Sequence, residues 1–137
     1  MSVRFEVVFS CFLRGDTPSE VLEAVRWHLG LAAERPAGLD PAEHPDRLLE
    51  TDEESCLPGG DVASLRHREH GFEDFGRLGV WGLHSRNYWL DDIMGELVTV
   101  LDLLAPYAEN GYGGYFRAET EVKPTVLVFR DGAYDGV

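Results

Sequence analysis

Two short doublets carry the most binding chemistry in this chain, Arg66-x-Arg68 and His84-x-Arg86. In an extended strand, residues two apart point to the same face, so each doublet sets two cationic or hydrogen-bonding groups side by side. Arg117 adds another arginine on a later extended segment. Guanidinium forks match the geometry of carboxylate and phosphate. The candidate ligand-binding residues are therefore Arg66, Arg68, His84, Arg86 and Arg117, and the chemistry they offer is anion binding.

Catalytic signatures are missing from the sequence. It contains no G-x-S-x-G, no P-loop and no G-x-G-x-x-G. Gly111-Tyr112-Gly113-Gly114 lies between a helix and a strand, the wrong order for a phosphate loop, and reads as a helix stop before a flexible strand. The adjacent carboxylates Glu53-Glu54 and Asp91-Asp92 read as solvated charges or helix N-terminal acids. No catalytic residue is assigned and no cofactor is expected. His67 and His70, with His44 and His84, have the composition of a zinc site. On a strand, however, His67 and His70 point to opposite faces, so no metal ligation is expected. Trp81, Tyr88, Trp89 and Tyr107 bracket the second helix and read as packing residues.

Alternation and apolar periodicity define the elements that position these residues. Val3, Phe5, Val7, Phe9, Cys11 and Leu13 line one face of a first strand, which Gly15-Asp16 ends. Thr17-Pro18-Ser19-Glu20 reads as a capping box opening a helix through Val21, Val25, His28 and Leu29, with Gly30 as its stop. Residues 31–60 hold four prolines, three glycines and eight acids against two arginines, and read as one long acidic loop. Strands at Val62–Glu69 and Leu78–Asn87 follow, joined by a long connection. A second helix spans about Leu90–Glu109, with Ile93, Leu97, Val100, Leu101, Leu104 and Ala108 on its apolar face and Pro106 disturbing its last turn. Strands at Tyr112–Glu119 and Thr125–Arg130, then a short edge piece at Ala133–Asp135, complete the chain. The predicted class is α+β with a mainly antiparallel sheet in the order β-α-β-β-α-β-β, a ferredoxin-like plan with an extra C-terminal strand.

Composition bounds the function. The 137 residues are expected to form a single domain. Eleven arginines and one lysine face 25 acids, for a net charge of −13. That charge opposes binding to nucleic acid or anionic membranes and favours a basic partner. No apolar run approaches the roughly 20 residues of a membrane span. The N-terminus alternates polar and apolar residues, unlike a signal peptide, and a cytoplasmic location is expected. Cys11 and Cys56 are too few for a disulfide framework, and free thiols are expected.

If both helices cover one sheet face, alternation assigns the other face. It would carry Arg4, Arg14, Arg66, Arg68, Arg86, Arg117 and Arg130, with Glu6, Val8, Ser10, Phe12, Ser64, Val80, Gly82, His84, Tyr115 and Glu119 among them. Three readings of this basic face compete. The arginines pair with the protein's own acids, above all a loop from Asp40 to Glu54 folded across them. Alternatively the face binds a small anion or acidic peptide, or it is a homodimer surface using Val8, Phe12 and Tyr115. The overall charge separately supports a non-catalytic, immunity- or inhibitor-like module for a basic protein, and an enzyme without a recognisable motif is the further alternative. The position of the acidic loop discriminates among the readings of the face.

The C-terminal part also carries a recognisable layout: Trp81 to Tyr88 as a strand, a helix ending in Pro106-Tyr107, then Gly114-Tyr115-x-Arg117-x-Glu119 and Pro124-Thr125. Residues 81–132 thereby resemble small uncharacterised bacterial proteins. The resemblance implies no activity and supports reading this part as one unit.

Overall fold

A computed structural model describes residues 3–69 and 79–137. The elements are β1 (Arg4–Arg14), α1 (Ser19–His28), β2 (Val62–Glu69), β3 (Gly79–Leu90), a 3-10 segment (Asp91–Glu96), α2 (Leu97–Leu104), β4 (Gly111–Ala118), β5 (Thr125–Arg130) and β6 (Ala133–Gly136). They build an α+β fold around a six-stranded sheet in the order β2-β3-β1-β4-β5-β6, with every neighbouring pair antiparallel. The first four strands have the ferredoxin-like order, and β5 and β6 extend the sheet beyond β4. No helix among the described residues is long and apolar enough to cross a membrane.

The alternation in β1 organises the core. Val7, Phe9, Cys11 and Leu13 are buried against Leu22, Val25 and Leu29 from the first helix and Leu97, Val100, Leu101 and Leu104 from the second. Full burial of each such large side chain is worth about 1.5–3 kcal/mol. The strand pairs with β3 along its whole length, from Arg4 opposite Leu90 to Arg14 opposite Val80. This central pairing sets which side chains share a face. Cys11 and Cys56 are free, the first buried and the second exposed, and burial pushes the Cys11 thiol up to about 12.

Several boundaries differ from the sequence reading for identifiable reasons. The third strand runs on through Tyr88, Trp89 and Leu90, because Arg4, Phe5 and Glu6 continue the antiparallel ladder opposite them. The residues placed in the first part of helix two instead form the 3-10 segment, and the α-helix spans only Leu97–Leu104. Ile93 therefore leaves the apolar stripe and is 38% exposed, since the tighter three-residue period turns it away. The capping box does not form: Thr17 donates its hydroxyl to the Arg14 carbonyl, and Pro18 precedes the helix with no side-chain cap. The helix stop does form. Gly30 has φ +77°, its N–H reaches Trp27 O, and Leu31 N–H reaches Arg26 O, a Schellman ending. Gly113-Gly114 is a β-bulge rather than a flexible lead-in. Gly114 has φ +127° and lies so near β1 that a Cβ would sit 2.0 Å from Val8 O. The connection between β2 and β3, with Leu78 and His70, lies outside the described residues.

The acidic loop, 31–60, contains no helix or strand. It crosses the helix side of the sheet and is anchored there. Leu49 N–H donates to His28 O at 2.9 Å, Trp89 Nε1 to Leu48 O at 3.2 Å and Asn87 Nδ2 to Glu50 O at 3.0 Å. Leu39, Leu49 and Leu57 are buried. The loop's two arginines also hold it down: Arg35 donates to His44 O and Pro45 O, Arg47 donates to Ala32 O and Ala33 O, and both guanidinium groups lie over the Trp27 ring.

His28, only 1% exposed, joins the helix to this loop. Its Nδ1 accepts from Leu48 N–H at 3.2 Å, so its Nε2 carries the proton and donates to His44 Nδ1 at 3.0 Å. Burial, with help from His44 and Arg35, lowers its pKa from 6.5 to about 4. Between those values the unfolded chain binds a proton that the folded chain refuses, so folding stability rises with pH. The contribution is complete above pH 6.5 and lost as pH falls through 4. Urea midpoints measured across that window should record a fall of up to about 3 kcal/mol. His28→Asn, which keeps an acceptor for Leu48 but cannot titrate, should be less stable at pH 7 and lack this component.

Candidate functional site

The register divides the reverse face of the sheet into two zones. In the first, β3, β1 and β4 bring Arg86, Glu6 and Arg117 together. Glu6 is 7% exposed and accepts from Arg86 Nε at 2.7 Å, while Arg117 Nη2 lies 3.6 Å from its other oxygen. Arg86 also donates to the carbonyls of Pro58 and Gly60, where the loop's end meets the sheet edge, and Arg117 donates to Glu121 O. Burial and the nearby Glu6 carboxylate raise the pKa of Tyr115. Along the same face Tyr88 pairs with Glu119, while Arg4 stacks over the Tyr88 ring at 5.3 Å. The internal pairing expected for the arginines therefore occurs here, but the acid comes from β1 and not from the Asp40–Glu54 segment.

The second zone is a groove of about 760 Å³ over β2, β3 and the end of β1. Cross-strand rows build it: Ser64, His84 and Ser10 form one, and Arg66, Gly82 and Phe12 form the next. Arg68 follows on β2, and Asn110 and Tyr112 close the far end with Glu109. Phe12 is 41% and Tyr112 53% exposed. Arg66, Arg68 and His84 are exposed, and their side chains make no hydrogen bond or ion pair among the described residues. A groove with two uncommitted arginines, an imidazole, two hydroxyls and aromatic walls can hold an organic anion.

The five sequence-derived site residues thus share one face but separate into two groups. Arg66, Arg68 and His84 line the groove, whereas Arg86 and Arg117 commit donors to Glu6. Phe12, Gly82 and Tyr112 are groove residues that the basic doublets alone did not single out. Phe12 was legible as an apolar residue on the polar face of β1, and alternation placed Gly82 on the same face as His84 without giving it a role. Arg14 turns aside to Asp16 and the Pro106 carbonyl. For self-association, Val8 is buried and Tyr115 half-buried, leaving Phe12 as the exposed apolar member of the expected patch.

The histidines do not converge. His67 stacks against Trp81 on the helix side, with ring centroids 4.8 Å apart, while His84 lies on the reverse side and His44 beside His28. Among the described residues no group of three or more His, Cys, Asp or Glu side chains is arranged to hold a metal ion.

Glu6 is the neutralising centre of the first zone. Glu6→Gln should leave two partly buried guanidinium groups without their carboxylate. The expected loss is about 2–3 kcal/mol, below that for fully buried pairs because both arginines keep some solvent. Urea denaturation at pH 7 measures it, and Ser10→Ala on the same strand should stay within about 0.5 kcal/mol of wild type.

No protein-family model, curated protein or solved structure matches this chain.

Proposed function

We propose that this protein is a non-catalytic binding protein that takes a small organic anion, a carboxylate or a phosphate ester, in the groove lined by Arg66, Arg68 and His84. The supporting observation is the position of the acidic loop. Its middle, Leu48–Glu50, is hydrogen-bonded on the helix side of the sheet, so its carboxylates do not neutralise the arginines of β2. Two arginines with no ion pair among the described residues, in a protein with 25 acidic residues, form a local positive site within a negative field. Short-range charge-assisted hydrogen bonds act there, while the distant acids are screened over about 8 Å at physiological salt. In this reading Arg66 and Arg68 fork the anionic group, and His84, Ser10 and Ser64 supply further hydrogen-bonding partners. Arg86 and Arg117 maintain the neighbouring sheet surface.

A ligand binding only the folded state raises the melting temperature. At tenfold excess over Kd the gain is about 1.4 kcal/mol, or roughly 4 °C for a domain of this size. A panel of carboxylates and phosphate esters should include members that produce such shifts, and Arg66→Glu with Arg68→Glu should abolish them without lowering the starting melting temperature. Shifts that survive the double substitution would place the anion elsewhere.

A second reading rests on a different feature. A hollow of about 440 Å³ between the acidic loop and the start of the second helical region is lined by Asp46, Glu50, Asp52, Asp61, Asp92 and Glu96 beside Tyr88 and Trp89. This surface suits the basic protein partner that the net charge favours. Its mark would be a captured basic protein that is released by moderate salt and lost with Asp52→Asn and Asp92→Asn, but retained with Arg66→Glu.

A further inference from the structure

Gly82 occupies the middle of β3 and the floor of the groove. Nothing in the backbone demands glycine there. Its φ lies outside the left-handed region, and an added Cβ would meet Phe12 Cε1 at 3.7 Å, Phe12 Cδ1 at 3.9 Å and Arg66 O at 3.8 Å, all ordinary contacts. Other glycines of the chain are required: a Cβ at Gly114 would sit 2.0 Å from Val8 O and one at Gly15 2.1 Å from Gly79 O. Glycine inside a strand weakens it, and where sterics do not explain its presence it marks a place where something approaches the backbone closely.

The side chains around the notch define what could approach. Phe12 stands on one side and Arg66 on the other, directly opposite Gly82 in register. Arg68 lies two residues along β2, on the same face as Arg66, and His84 two residues along β3. The backbones that carry Phe12 and Arg66 are two strand spacings apart, roughly 9–10 Å, and the Phe12 ring leans towards Gly82 to form an aromatic wall facing a cationic one. An inorganic anion would use only the cationic wall and leave Phe12 in water. A flat ring bearing an acid group would use both, seating its ring over the bare backbone against Phe12 and directing its acid to the arginine forks.

We propose that the groove selects aromatic carboxylates, with Gly82 as the residue that makes room for the ring. The inference rests on the anion-binding reading of the same groove and narrows its ligand class. The test is titration of the full chain with benzoate, 4-hydroxybenzoate, acetate, inorganic phosphate and benzyl alcohol, followed by amide chemical shifts in NMR. Benzoate or 4-hydroxybenzoate should bind at least tenfold more tightly than acetate, phosphate or benzyl alcohol, with the Gly82 amide among the most shifted. Gly82→Val fills the notch with a residue that favours strands, and should weaken aromatic acids at least tenfold while changing phosphate affinity less than twofold. Phe12→Ser, at an exposed position, removes the aromatic wall without relying on the strand interior and should reduce the preference for aromatic acids in the same way. If acetate or phosphate binds as tightly as the aromatic acids, or if neither substitution alters their affinity, the ring seat is wrong and the anion-binding reading survives. Absence of binding by every anion in the panel overturns both.

Discussion

The anchoring of Leu48, Leu49 and Glu50 against the helix side of the sheet is the constraint from which the layout of the protein follows. These residues contribute two carbonyls and two amides to His28, Asn87 and Trp89, and Leu49 joins the core beneath them. A loop of thirty residues with eight acids could lie in many places at similar electrostatic cost. What selects one place is the burial of apolar side chains together with the need of buried polar groups for partners. Once the strap is there, it closes the gap left by a helix layer whose α2 has only eight residues, and among the described residues none of its carboxylates pairs with Arg66 or Arg68.

Charge on that reverse face is divided by the same logic of satisfaction. Glu6 is buried, and a buried carboxylate needs charged or hydrogen-bonded neighbours. Strand pairing supplies them at once: Arg117 stands directly opposite on β4, and Arg86 stands two residues along from Tyr88 on β3, on the same face, so that its guanidinium can reach back. Two arginines are thereby taken into the structure. Arg66 and Arg68 sit on the outer strand, beyond reach of Glu6. Charges on an edge strand also discourage unwanted strand addition, so these arginines have a structural use as well as a binding one.

Much of the architecture was legible because it depends on neighbours in the chain. Period-two alternation in β1 identified its buried face residue by residue, and Val62–Glu69 and Thr125–Arg130 have the bounds that composition indicated. The misreadings occur where a partner far along the chain outweighs a local signal. Leu90 reads as the opening of helix two, with Tyr88 and Trp89 just before it, yet a strand edge offered by Arg4–Glu6 captures all three. Thr17 has the local pattern of a cap, but the Arg14 carbonyl is the acceptor it meets. His28 looks like one member of an apolar stripe. Its actual role is to hold a loop that returns sixteen to twenty residues later.

For the candidate site, the residue types and their common face followed from spacing alone, because side chains two apart on a strand must share a face whatever else the chain does. Which of those cations pair with Glu6 did not follow. That depends on Glu6 meeting Arg86 eighty residues away, on the loop taking the opposite side of the sheet, and on Gly82 lying between Phe12 and Arg66. Spacing is a property of the covalent chain, whereas neutralisation and empty volume are properties of the packed one. Only folding, by choosing among partners distant in sequence, could separate the committed arginines from the available pair.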